Sequence, residues 1–120
     1  MAGLTRKSAD QPDEVRQMKD GKGRLELVDL GTGLVARATF EPGWRWSDHV
    51  KPMAGTDSCQ SAHVGYVMSG SMHIVMDDGE EIDIGPGDFM VADPGHDAWV
   101  TGIEACVIID WQGMADYAKT

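Results

Sequence analysis

Apolar and polar residues alternate along most of the chain in short runs, and nearly every run is closed by glycine, proline or aspartate. Residues 25–30 form the first. Gly31-Thr32-Gly33 interrupts it, and 34–40 follows, ended by Pro42-Gly43. The third run covers 44–50 and the fourth 64–68, which stops at Ser69-Gly70. Residues 71–76 are closed by Asp77-Asp78-Gly79, a hairpin signal because aspartate and glycine tolerate positive φ. Residues 80–84 end at Gly85-Pro86-Gly87, and 88–92 at Asp93-Pro94-Gly95. Residues 96–101 and 105–111 complete the series, with 107–109 apolar enough to be buried on both faces. Nine short strands at close spacing, with almost no 3.6-residue periodicity, predict an all-β antiparallel sandwich or barrel.

The first 23 residues do not share this pattern. They are polar, contain Pro12, Gly21 and Gly23, and predict an N-terminal arm with at most a short helix around 13–18. The arm (1–23), a β unit (24–113) and a tail (114–120) with one or two helical turns complete the expected organisation. The longest stretch without alternation, 51–62, predicts a loop, and a long loop in a compact domain is often functional.

Composition narrows the function classes. With 120 residues the chain fits one domain that buries about two-thirds of its unfolded surface. Twenty acidic against ten basic residues give a formal charge of −10, and half of the basic residues lie in the first 23 positions. The remainder is strongly acidic and would repel phosphate backbones, so no nucleic-acid partner is expected. No apolar run is long enough to span a bilayer, and residues 1–20 lack the apolar stretch of a signal peptide. The expectation is a cytoplasmic protein with Cys59 and Cys106 reduced.

Strand parity sorts the four histidines, because side chains two apart share a face. In 44–50 the parity of Arg45, Ser47, His49 and Lys51 is polar and basic, while Trp44 and Trp46 lie opposite. A polar inward face implies a lined cavity. The two tryptophans then point outward, as a subunit contact or beneath the arm. His63 and His96 open strands, Gly65 leaves space beside His63, and Cys59 shares the His63 parity if the loop is extended there. His73 lies between Met72 and Ile74 and should face outward. Imidazole nitrogens and a thiolate converging from separate strands make a donor set for a divalent metal.

Residues 42–99 resemble the cupin superfamily. Gly43, five residues and then His49 match the start of the first cupin motif, G-x5-H-x-H-x3,4-E-x6-G, and His63 through Gly70 matches its end. Gly85-Pro86-Gly87-Asp88 and Pro94-Gly95-His96-Asp97-Ala98-Trp99 resemble parts of the second, G-x5-P-x-G-x2-H-x3-N. The resemblance implies an antiparallel double-stranded β-helix, the jelly-roll barrel, and a site of three histidines and one glutamate. Counted from Gly43, Lys51 stands at the second histidine. The spacing on to His63, which stands at the glutamate, is longer than the motif allows, so a loop is inserted there. In the second motif Ala98 stands at the histidine, with His96 two residues earlier.

The resemblance therefore implies a rebuilt metal site of His49, Cys59, His63 and His96. Zinc is favoured, with iron, manganese or nickel as alternatives. Lys51 and Arg45 are the candidates for binding an acidic group or moving a proton. The implied function is a metal-dependent enzyme of dioxygenase, isomerase or lyase type acting on a small polar or acidic molecule. A non-catalytic ligand-binding or sensing module and a metal-free epimerase-type enzyme are the alternatives. Cupins commonly pair through their sheets, so a homodimer is expected.

Overall fold

The structure, a computed structural model, describes residues 3–114 and 117–118. Nine strands are present among them: β1 (Glu14–Gln17), β2 (Gly23–Asp29), β3 (Leu34–Phe40), β4 (His63–Ser69), β5 (Ser71–Met76), β6 (Glu81–Ile84), β7 (Phe89–Ala92), β8 (His96–Thr101) and β9 (Cys106–Asp110). They form a six-stranded sheet in the order β1-β2-β3-β9-β4-β7 and a three-stranded sheet in the order β6-β5-β8. All pairings are antiparallel. The alternation in sequence becomes alternation of burial: Ala36, Ala38 and Phe40 on β3, Cys106, Ile108 and Asp110 on β9, and His96, Ala98 and Val100 on β8 all face inward. No helix among the described residues is long and apolar enough to cross a membrane.

Three expectations are corrected here. Residues 13–18 are not a helix, because Glu14–Gln17 pair with β2 and extend the six-stranded sheet. Residues 44–50 are not a strand. They hold a helical turn, α1 (Trp46–His49), followed by a second, α2 (Lys51–Ala54). Trp46 and Val50 are both buried and lie four apart, the helical repeat, whereas a strand would bury Asp48 with them. An N–H of the first turn, that of Ser47, is satisfied from across the fold by Asp97 Oδ1 at 3.2 Å. Finally, residues 107–109 are buried on one face only, with Val107 and Ile109 partly exposed. The expected helical turn of the tail falls partly on residues 115–116 and 119–120, and part of the expected arm on 1–2; these lie outside the described residues.

The core lies between the sheets. Trp44 and Trp46 are each 2% exposed, so they are core side chains and not the expected outward contact. Trp44 packs on Phe40 with ring centroids 4.4 Å apart, and its indole N–H donates to Met18 Sδ at 3.1 Å.

Candidate functional site

Three buried side chains converge at one end of the core. The donor atoms of Cys59, His63 and His96 all lie within 4.8 Å of one another. His63 opens β4 in the large sheet, and His96 opens β8 in the small one. Cys59 is delivered by the loop that the sequence left unpatterned. Its N–H donates to the His96 carbonyl at 2.7 Å, and its own carbonyl accepts the Gly95 N–H at 2.7 Å. This isolated bridge adds the loop to the edge of β8 and sets Cys59 beside His96. Next to it, Ser58 Oγ donates to Asp77 Oδ2 at 2.8 Å and ties the loop to the β5–β6 turn.

Both imidazoles are fixed from behind. His63 Nδ1 donates to Asp110 Oδ2 at 2.7 Å, and Asp110 Oδ1 accepts the Gln112 N–H at 2.9 Å. His96 Nδ1 donates to the Asp93 carbonyl at 2.7 Å. Each ring thereby commits Nδ1 and keeps Nε2 for the cluster, and His63 Nε2 stands 3.6 Å from Cys59 Sγ. Tyr117 lies edge-on to His63 with centroids 4.8 Å apart. Arg16 of β1 holds that segment in place, its Nη1 donating to the carbonyls of Met114 at 2.7 Å and Tyr117 at 2.9 Å.

The electrostatics follow from this contact set. Burial alone would raise the Cys59 thiol, but hydrogen bonds and charge from His63 and His96 outweigh it and bring its pKa down to about 6. Burial would lower His63, yet the Asp110 carboxylate and Cys59 lift it to about 9. Cys106 is pushed by burial up to about 11. Burial likewise holds the Tyr117 phenol well above its usual value.

Beside the cluster is a cavity of about 40 Å³. Its walls are mostly apolar, including Ala38, Phe40, Met72, Ile74 and Ile108, with His63, His96 and Asp110 at one side and Trp46 among the aromatic residues. Trp46 Nε1 is fully buried and has no hydrogen-bond partner among the described residues.

Of the expected site residues, the structure brings together Cys59, His63 and His96 and leaves three apart. His49 is not in the cluster: α1 turns its ring back on its own first turn, where Nδ1 accepts the Arg45 N–H at 3.0 Å. Lys51 sits on α2 with its side chain 43% exposed and its ammonium 3.8 Å from Asp57, so it does not face the cavity. The Arg45 guanidinium stacks 4.1 Å from the centre of the Trp99 ring and does not line the cavity either. The strand parity assumed for 44–50 had aimed all three inward, and the helical turn cancels it. His73 meets the expectation: it lies between strands on the outer face, its Nδ1 2.8 Å from Asp83.

Two site residues were not anticipated. Asp110 shares its parity with Cys106 and Ile108, and a carboxylate on the buried face of a strand was the available signal. Tyr117 carried none, lying in the tail beyond any alternating run. The motif spacing also contains a better registration than the one taken from Gly43. Counted back from His63, the motif's x3 spacing puts Cys59, not Lys51, at the second histidine position.

The chain matches no known family profile and no curated protein. Among solved structures it is similar to KdgF from Halomonas sp., with a TM-score of 0.58 at 21% identity, over 84% of this chain and 89% of that one. An uncharacterized conserved protein with a double-stranded β-helix domain from Klebsiella pneumoniae gives 0.58 at 18%, over 96% and 88%. The EutQ protein of Clostridium difficile gives 0.55 at 14%, over 80% and 65%. At such identities a likeness speaks for architecture alone, and the architecture it establishes is the antiparallel double-stranded β-helix, the cupin fold.

Proposed function

We propose that this protein binds a divalent metal ion through Cys59, His63 and His96 and presents it to a small molecule in the adjoining cavity. The observation that carries this reading is the orientation of the two imidazoles. Histidines that bind metals characteristically donate the second ring nitrogen to a carboxylate or carbonyl, and both rings here do so. The Cys59–His63 spacing agrees. A tetrahedral zinc with bonds of about 2.3 Å to sulfur and about 2.0 Å to nitrogen has an S···N edge of about 3.5 Å, against 3.6 Å between Cys59 Sγ and His63 Nε2. Depression of the thiol pKa also suits a group that binds as thiolate.

One thiolate and two imidazoles favour zinc over oxygen-seeking cations such as magnesium. Three protein donors leave a coordination position for water or a ligand, as in catalytic sites. An ion there supplies Lewis acidity to a bound oxygen atom. The protein's own contribution is to hold His63 and His96 in one tautomer and to exclude bulk water with the apolar wall. Metal analysis of the purified protein and of cobalt(II)-substituted samples tests the reading. About one equivalent and a thiolate-to-cobalt absorption band are expected, lost in Cys59→Ser and His63→Ala and retained in His49→Ala. Full metal content in Cys59→Ser and His63→Ala refutes it.

A second reading is favoured by the line Cys59, His63, Asp110. Thiol, imidazole and carboxylate in that order are the parts of an activated cysteine nucleophile, with the acid orienting the base. In this reading no ion is needed, and the Cys59 thiolate would add to an electrophilic carbon on the side lined by Val50, Gln60 and Tyr117, the electron pair of the bond under attack passing to its oxygen or leaving group and His63 supplying the proton. The two readings separate in chelator: the nucleophile persists without metal, and added zinc protects it from alkylation only if the first is right.

A further inference from the structure

The Trp46 indole N–H is the least explained polar group in the core. Its residue is 2% exposed, and burying such a donor without an acceptor costs about 1–3 kcal/mol. A core tryptophan normally places its N–H on a partner, as Trp44 does on Met18 Sδ. Trp46 lines the same cavity as His63, His96 and Asp110. The cavity measures about 40 Å³, against the roughly 10–15 Å³ that one buried water needs, so it has room for a group of about three heavy atoms.

Resting on the metal reading above, we propose that the cavity is an acceptor-binding pocket for a small carboxylate or comparable oxyanion, with one oxygen toward the cluster and the other held by the Trp46 N–H. Size sets the first limit: the buried head of the ligand is a group about as large as formate. Polarity sets the second. The Asp110 oxygens are engaged by His63 and by the Gln112 N–H, and among the described residues the Trp46 N–H is the buried side-chain donor left without a partner. Charge sets the third. A divalent ion with one thiolate and the Asp110 carboxylate behind His63 is neutral overall, so the site carries no surplus negative charge to repel a monoanion at the ion's open position.

The experiment uses formate as the probe and the cobalt(II)-loaded protein as the reporter. Formate should perturb the visible spectrum saturably, and Trp46→Phe should weaken that binding at least tenfold, the effect of losing one hydrogen bond to a charged group. Trp44→Phe is the control. It removes the same ring volume from the same cavity wall, but its N–H is committed to Met18, so formate affinity should stay within about twofold. A cobalt spectrum indifferent to formate, or equal losses in the two variants, overturns the pocket assignment while leaving the metal site intact. Failure of the wild-type protein to take up cobalt overturns both.

Discussion

Replacing Asp110 with asparagine isolates what the carboxylate behind His63 contributes. The side chains of both residues are less than a tenth exposed, and the contact is 2.7 Å. Asp110 accepts two hydrogen bonds, from His63 Nδ1 and from the Gln112 N–H, one on each oxygen. Asparagine has a single oxygen, so its NH2 must face one of these two donors. One bond is lost whichever way the amide turns, and the negative charge that made His63 a strong base is lost with it. Changes of this kind behind a metal-bound histidine typically cost about ten- to a hundredfold in affinity, or about 1.4–2.7 kcal/mol. Saturating metal stabilises the folded protein in proportion to the logarithm of its affinity. The metal-induced rise in melting temperature should therefore shrink by about 5–10 °C, taking roughly 4 °C per kcal/mol for a chain of this size. Competition against a chromophoric chelator measures the affinity directly, and melting in excess chelator shows that the variant still folds. Wild-type affinity in a folded Asp110→Asn protein would refute the argument that Asp110 tunes His63 for the site.

Other outcomes follow from the same contacts. In chelator, alkylation of Cys59 should rise with a midpoint at about pH 6, then remain flat to about pH 9 where His63 loses its proton; a midpoint in the ordinary thiol range near 8.5 rejects the pairing. The sign for stability differs. The lowered Cys59 gains stability as pH rises through this window and the raised His63 loses it, so between about 6.5 and 9 the two slopes oppose and thermal melts in chelator should show no matching step. Gly65→Ala should destabilise the fold by about 1–3 kcal/mol in urea unfolding, because the added Cβ would lie 2.6 Å from the Ile109 carbonyl, where β4 approaches β9. Arg16→Met should cost a similar amount and increase proteolysis near residue 114, since two carbonyls of the final segment lose their donor.

The sheet was legible because its signals are local. Turns such as Asp77-Asp78-Gly79 and the two-residue alternation of 34–40, 71–76 and 96–101 bound those strands to the residue. The segment 44–50 was not legible, because its seven residues fit either repeat. What settles it as helix is non-local: burial of Trp46 and Val50 together and an amide satisfied by Asp97, fifty residues away. The same failure removed His49, Lys51 and Arg45 from the site, since their placement depended on that parity. Cys59 was found through its chemistry and its parity with His63, and His63 and His96 through their places at strand starts and in the motifs, none of which depends on the 44–50 parity; motif spacing alone had also admitted His49. Asp110 shows the remaining gap. Its burial could be suspected from the Cys106, Ile108, Asp110 alternation, but its partner lies on another strand, and pairing between strands is not encoded in either strand alone.

His63 belongs to one sheet and His96 to the other, while Cys59 is stitched to the second by its backbone. An ion gripped by all three would rivet the two layers together. The three donors meet only after the layers have closed, so an ion would be gripped by all three only late in folding. Refolding speed should then be indifferent to metal, and the whole effect should appear as slower opening. Occupancy would govern how long the protein lasts rather than how quickly it forms.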